Sequence, residues 1–139
     1  MEFRVAQRIG ALVSSKNNTT RAPVVVSVAE EALAISLELT LQTLDLRVLI
    51  HDPATGLASL ALEPGSTLII DRDLLPRDPR GFVSQLRAQL WRGIAIVLTE
   101  DAAKADLIFE PAQGVKIIEK PFGSHELITL IRDGHPAQA

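Results

Sequence analysis

The amino-acid sequence predicts an α/β fold in which a five-stranded parallel sheet is covered by helices on both faces. Five short apolar segments alternate along the chain with segments of helical periodicity, as in a series of βα units. These apolar segments are continuous, which is typical of strands buried on both faces of a parallel sheet. Right-handed crossovers between five such units favour a flavodoxin-like doubly wound sheet with strand order 2-1-3-4-5.

Length and composition fit one domain of this kind. The chain has 139 residues, of which 47% are hydrophobic and 22% are charged, and a domain of this size can bury a stable core without disulfides or metals. It has no cysteine, which excludes disulfide bonds and cysteine-based catalysis and fits a reducing compartment. No leader peptide or membrane-spanning run is evident, so we expect a cytoplasmic protein with no membrane partner.

Residues 1–22 differ from the rest of the chain in charge. They carry four basic side chains and one acidic side chain, whereas the remainder is net acidic and poor in aromatic residues, so we expect no nucleic-acid partner. Four apolar residues at loose helical spacing precede a polar stretch: Phe3, Val5, Ile9 and Leu12. We expect a frayed or docked helix and a linker in residues 1–22, the main domain in residues 23–133 and a tail in residues 134–139.

The first two strands flank the first predicted helix. Val24–Val28 is a β-branched run that suits a buried strand. Glu30 and Glu31 favour a helix N-terminus, and leucines follow at helical spacing: Leu33, Leu37, Leu41 and Leu44. A second strand is predicted over Leu46–Ile50, and a short helix over Leu57–Leu62 before a Pro-Gly turn.

Three further βα units complete the predicted order. Their strands are Thr67–Ile70, Ile94–Leu98 and Val115–Ile118. A charged loop over Asp71–Arg80, most simply solvated, precedes the third helix, and a weaker helical pattern covers Ala102–Phe109. Apolar residues at helical spacing mark the third and last helices: Phe82, Val83, Leu86 and Leu90 in the third, and Leu127, Ile128, Leu130 and Ile131 in the last.

Polar side chains stand at the carboxyl ends of the last three predicted strands. Asp71 follows the third strand, Thr99 the fourth and Lys120 the fifth. Because ligands and chemistry gather at the carboxyl edge of a doubly wound sheet, we expect these three side chains to converge there. A carboxylate at such an edge can attack a phosphoryl group and form an acyl phosphate where positive charge neutralises the phosphoryl oxygens.

This set of strand ends resembles the receiver domain of two-component response regulators. The resemblance covers about residues 23–133. Its most specific part is Lys120-Pro121-Phe122, between a strand and an amphipathic helix, and the next is Asp71 with Pro76 and Gly81 following.

The resemblance implies a phosphoacceptor signalling domain rather than an enzyme. Asp71 would take phosphate from a histidine kinase or phosphotransfer protein, Lys120 would neutralise the phosphoryl charge, and Thr99 would follow the modification state. In the family the corresponding Lys-Pro bond is usually cis, which we expect for Lys120 and Pro121.

The expected metal site departs from the family pattern. Receivers generally carry two adjacent acidic residues at the end of the first strand to hold Mg²⁺, and the matching positions here are Val28 and Ala29. Neither can ligate a cation. We therefore expect Asp71 to bind Mg²⁺ weakly or not at all, unless a shift of the first strand brings Glu30 or Glu31 into the site.

Two further positions depart from the family pattern. Pro76 lies five residues after Asp71, where the family usually has four, which leaves Asp73 as a competing acceptor. The position of the family's switch aromatic, three residues before Lys120, is Ile117.

Other candidate sites have little support. The histidines are scattered and predicted to be solvated rather than to bind a metal: His51, His125 and His135. Trp91 is expected to pack against the sheet edge. Neither a Gly-rich phosphate loop after the first strand nor a G-x-S-x-G elbow is present, so the pattern disfavours nucleotide binding and serine hydrolysis.

Two functions remain open. The first is a stand-alone phosphoacceptor in a phosphorelay, which signals by docking, and homodimerisation is compatible with it. The second is a pseudo-receiver, a protein-binding module without a phosphate cycle, which the missing acidic pair favours. Retention of Asp71, Thr99 and Lys120 favours the first, because buried polar residues without a role would cost stability.

Overall fold

The structure, a computed structural model, describes residues 22–106, 108–109 and 113–133. The predicted N-terminal extension, apart from Ala22, and the predicted tail with His135 lie outside the described residues. Five parallel strands form one sheet in the order β2-β1-β3-β4-β5. The predicted fold class and strand order are therefore confirmed.

Strands and helices alternate along the described chain as predicted, except between the second and third strands, where no α-helix forms. The strands are β1 Val24–Ser27, β2 Val48–Ile50, β3 Thr67–Asp71, β4 Ala95–Thr99 and β5 Val115–Glu119. The helices are α1 Glu31–Gln42, α2 Pro79–Ala88, α3 Ala102–Asp106 and α4 Ser124–Asp133. None of the helices in these described ranges is both long and apolar enough to cross a membrane.

The hydrophobic core consists of two layers, one on each face of the sheet. Val24 and Val26 of β1 face a layer that includes Leu37 and Leu41 of α1. Val25 faces the opposite layer, to which α2 contributes. Alternate residues of one strand thus enter different layers, which explains why the central strands are apolar without alternation.

The prediction of a helix over Leu57–Leu62 is wrong. Two short 3₁₀ turns, Pro53–Thr55 and Leu57–Ser59, stand there instead. Gly56 separates them with a φ of 85°, a left-handed conformation that interrupts a helix. The leucines of the predicted helix still pack against the core: Leu57, Leu60 and Leu62.

The charged segment after β3 is more ordered than the predicted solvated loop. Asp71 belongs to β3, a 3₁₀ turn spans Arg72–Leu74, and α2 already begins at Pro79. The Asp78 carboxylate accepts a hydrogen bond from the Gly81 N–H at 3.0 Å. Aspartate as N-cap followed by proline is a strong helix-start signal, so α2 begins before the apolar residues that predicted it.

Trp91 packs into the core beside the start of β4, in agreement with the prediction for this residue. Its side chain is buried, and its Nε1–H donates a hydrogen bond to the Ser66 carbonyl at 2.8 Å. The Arg87 guanidinium lies 4.4 Å from the centre of the ring. A Cβ atom on Gly93 would lie 1.6 Å from the Ser66 oxygen, so this close approach requires glycine.

Candidate functional site

The three predicted site residues meet at the carboxyl edge of the sheet. Asp71 lies level with Leu98 of β4, and Thr99 lies level with Glu119 of β5. Lys120 follows Glu119 directly, and its N–H donates to the Thr99 carbonyl at 2.7 Å. The pairing of β3, β4 and β5 thus places a carboxylate, a hydroxyl and an ammonium on neighbouring strand ends.

Asp71 is a buried carboxylate with a partner for each oxygen. Its side chain is 6% exposed, and Oδ1 lies 2.6 Å from the Lys120 Nζ. Oδ2 accepts a hydrogen bond from the Ala29 N–H at 3.0 Å. Apart from the ion pair, no described group donates a hydrogen bond to Oδ1. Because a buried carboxylate is tolerated only when it is paired, Lys120 and Ala29 together offset the burial of the Asp71 side chain.

Lys120 forms the positive half of this pair at the border of the solvent. Its side chain is 26% exposed, and the bond to Pro121 is cis, as the resemblance implies. Partial burial by itself would lower the pKa of the ammonium. The hydrogen bond to Asp71 and the negative charges of Asp71, Glu100 and Asp73 outweigh burial and raise the pKa. Lys120 is therefore protonated at neutral pH.

Thr99 lies in the site but is engaged with the chain that follows β4. The residue is buried, and its hydroxyl oxygen accepts a hydrogen bond from the Asp101 N–H at 3.1 Å. A short side-chain to backbone bond of this kind holds the turn after a strand. The hydroxyl thus orders the segment that leads into α3.

A cleft of about 260 Å³ opens beside the ion pair. Charged and polar side chains supply most of its lining: Arg72, Asp73, Leu98, Thr99, Glu100, Asp101, Lys104 and Lys120. Asp73, the competing acceptor, is an exposed residue of this lining, whereas Asp71 is buried and is not part of the lining. Lys120 belongs to both the cleft and the ion pair, so it connects the solvent-accessible cleft with the buried carboxylate.

The described residues do not fit a Mg²⁺ centre at this edge. Val28 is part of the hydrophobic core, and Ala29 contributes only its N–H, which occupies Asp71 Oδ2. Glu30 and Glu31 are exposed at the start of α1. Within the described ranges, no group of three or more acidic or histidine side chains is placed to hold a metal ion. Asp71 thus has no carboxylate beside it at the end of β1, and the site is short of the oxygen ligands that Mg²⁺ prefers.

Two polar groups near this edge, the Ala29 N–H and the His51 ring, make hydrogen bonds that were not predicted. The Ala29 N–H is a backbone donor, and no side-chain pattern marks it in the sequence. His51 is hydrogen-bonded at both ring nitrogens, to the buried Ser27 Oγ and to the Ser59 Oγ, each at 2.9 Å. The prediction of a solvated histidine is thus wrong for His51, which links the end of β1 to the second 3₁₀ turn, whereas His125 is exposed on α4.

Comparison with known proteins identifies the fold through structure alone. No family model and no curated protein matches the chain. The chemotaxis protein CheY4 of Vibrio cholerae is 18% identical, with 81% of this chain and 98% of that chain covered and a TM-score of 0.58. A response regulator receiver protein of Pseudoalteromonas atlantica is 19% identical, with coverage of 84% and 100% and a TM-score of 0.61. One of Sinorhizobium medicae is 22% identical, with coverage of 86% and 99% and a TM-score of 0.61. The chain therefore has the fold of response regulator receiver domains.

Proposed function

We propose that the protein is a phosphoacceptor in two-component signalling and that Asp71 is the residue phosphorylated. The observation that carries the proposal is the buried ion pair, in which Asp71 Oδ1 lies 2.6 Å from the Lys120 Nζ beside a polar cleft. The phosphate donor would be a histidine kinase or a histidine phosphotransfer protein. The phosphorylated form would signal by docking to a downstream protein.

The reaction is a phosphoryl transfer from nitrogen to oxygen. A carboxylate oxygen of Asp71 forms a bond to phosphorus while the bond between phosphorus and the donor's imidazole nitrogen breaks. That nitrogen keeps the electron pair of the broken bond and takes up a proton. The products are an acyl phosphate on Asp71 and a neutral histidine on the donor.

Lys120 and Thr99 would stabilise the phosphoryl group. The Lys120 ammonium is protonated and already lies against the attacking carboxylate, so it neutralises charge on the phosphoryl oxygens. The Thr99 hydroxyl donates to the Asp101 carbonyl across a long 3.4 Å contact, and it would give up this contact to donate to a phosphoryl oxygen while its oxygen still accepts the Asp101 N–H. Phosphorylation would in this way change the hydrogen bonds that hold the segment between β4 and α3.

A second candidate function is a pseudo-receiver that binds proteins without a phosphate cycle. Two observations favour it: both oxygens of Asp71 are already engaged, and the end of β1 supplies an apolar residue and an N–H in place of carboxylates. In that case the Asp71–Lys120 pair would serve only to hold the strand ends together.

Phosphorylation by a small donor separates the two functions. The full chain is incubated with acetyl phosphate, with and without Mg²⁺, and its intact mass is measured beside that of Asp71→Asn and Asp73→Asn. We expect one added HPO₃ unit in the wild type and in Asp73→Asn, and none in Asp71→Asn. Labelling lost only in Asp73→Asn would assign the acceptor to the cleft lining, and no labelling under either condition would favour the pseudo-receiver.

A further inference from the structure

Helix α1 carries apolar side chains on its outer face as well as on its core face. Leu37 and Leu41 are buried, yet Ile35 is 51% and Leu39 is 61% exposed. Ala32 is exposed one turn before Ile35, and these positions follow the i, i+3, i+7 spacing of a single helix face. We call Ala32, Ile35 and Leu39 the outer stripe of α1. Ile35 and Leu39 are each more than half exposed, so the outer stripe presents an apolar surface on α1.

The charge around the outer stripe restricts what can cover it. Glu31 and Glu38 lie one turn before and one turn after Ile35, and α1 contains no basic residue. A partner must therefore combine an apolar face with positive charge. A second copy of the same stripe would bring like carboxylates together, which opposes a symmetric contact between two α1 helices.

The chain's own N-terminal segment has the required composition. Val5, Ile9 and Leu12 follow one another at i, i+4 and i+7, the same kind of spacing as the outer stripe. Arg4 and Arg8 are neighbours of this apolar set. We propose that residues 3–13 dock on the outer stripe of α1 and cover it, with their arginines facing the α1 carboxylates.

The connection to the sheet allows this contact. Helix α1 runs back along the sheet between two parallel strands, so its C-terminal end lies near the edge where β1 begins at Val24. The stretch from Ser14 to Arg21 spans up to about 28 Å when extended, whereas α1, with 12 residues, is about 18 Å long. Every residue of the outer stripe is thus within reach, and the tether gives the segment a high effective concentration there.

Disulfide trapping in the full chain tests the proposal directly, because the protein has no cysteine of its own. Ile9→Cys is combined with Ile35→Cys, at the centre of the stripe, or with Leu39→Cys as a second trap. The matched control is Ile9→Cys with Leu90→Cys. Leu90 is also exposed, at 64%, and follows α2 at the same edge of the sheet but on the opposite face.

We expect the intramolecular disulfide to form about tenfold faster in either α1 pair than in the Leu90 pair, because docking raises the local concentration of the two thiols. Adding Arg4→Glu and Arg8→Glu should remove most of this advantage, and Glu31→Lys with Glu38→Lys should restore it. Circular dichroism confirms that each variant is folded. Equal rates in the α1 and Leu90 pairs would overturn the proposal. Disulfides formed mainly between two chains would also overturn it, in favour of a second copy as the occupant.

Discussion

At the scale of single residues, the stability of the site depends on a buried carboxylate and the groups that neutralise it. Asp71 is held by the Lys120 ammonium and the Ala29 N–H. Removing one member of a buried ion pair leaves an uncompensated charge, whereas removing both members avoids that penalty. The two residues should therefore be strongly coupled in their effect on folding.

Lys120→Ala tests this coupling. We expect the free energy of unfolding at neutral pH to fall by about 1 kcal/mol or more, and the double variant Asp71→Asn/Lys120→Ala to recover part of the loss. Denaturant melts of the wild type, both single variants and the double variant measure the coupling. Lys116→Ala, at an exposed lysine of β5, is the control and should change stability by about 0.5 kcal/mol or less. Strictly additive effects of the two substitutions would contradict the ion pair.

The raised pKa of Lys120 predicts where the contribution of the pair is lost. Because the pKa of this lysine is higher in the folded protein, its stabilising contribution is complete below the unfolded pKa of about 10.4 and disappears as the pH rises through the folded value. The stability difference between the wild type and Lys120→Met should stay constant from neutral pH to about pH 10 and shrink above it. Urea melts over this range measure the difference. A decline that begins near neutral pH would show a lowered pKa instead.

Mg²⁺ should bind poorly at this site. Val28 and Ala29 supply no carboxylate, and Asp71 is already paired with Lys120, so we expect millimolar affinity or no binding by calorimetric titration. Asp71→Asn serves as the control for any weak signal. A micromolar dissociation constant would contradict this expectation. If Glu30→Gln or Glu31→Gln then weakened the binding, one of these side chains would reach the site.

The sequence predicts which side chains meet here but not how Asp71 is held. Asp71, Thr99 and Lys120 could be found because each follows an apolar strand, and parallel strands end at a common edge. The Ala29 N–H could not be found, since every residue except proline carries such a donor. His51 was missed for a related reason, because its partners Ser27 and Ser59 become neighbours only after folding.

At the scale of secondary-structure elements, the strands were easier to predict than the ends of helices. The strands here are short apolar runs, and the three central ones are buried throughout, so composition alone delimits the strands within about two residues. The segment after β2 was predicted as a helix from its leucines, and the conformation of Gly56 divides it into two turns. Helix α2 starts at its Asp-Pro signal rather than at its first apolar residue.

Gly93→Ala should strongly destabilise the connection between α2 and β4. The added Cβ would lie 1.6 Å from the Ser66 carbonyl oxygen, the same oxygen that accepts the Trp91 Nε1–H. We expect a loss of about 2 kcal/mol or more in thermal or denaturant melts, because the backbone must move and a buried hydrogen bond is strained. Gly65→Ala is the control, since its Cβ would meet only Ala22 at 3.6 Å. Equal stability of the two variants would contradict this packing.

At the scale of the whole molecule, the order of the strands followed from chain connectivity rather than from any single residue. Right-handed crossovers restrict five βα units to few arrangements, and the observed order β2-β1-β3-β4-β5 is the most economical of these. That order brings β1 and β3 side by side, so the Ala29 N–H after β1 reaches Asp71 at the end of β3. The site is thus a consequence of the topology, and the central claim about it concerns the chemistry of Asp71.

Chemical mapping of the phosphorylated residue tests that claim most directly. The full chain is treated with acetyl phosphate and then with borohydride, which reduces an aspartyl phosphate to homoserine, and peptide mass spectrometry locates the converted residue. We predict homoserine at position 71, and none in a sample that received borohydride without acetyl phosphate. Conversion at position 73 instead, or no conversion at any aspartate with or without Mg²⁺, would contradict the assignment of Asp71 as the phosphoacceptor.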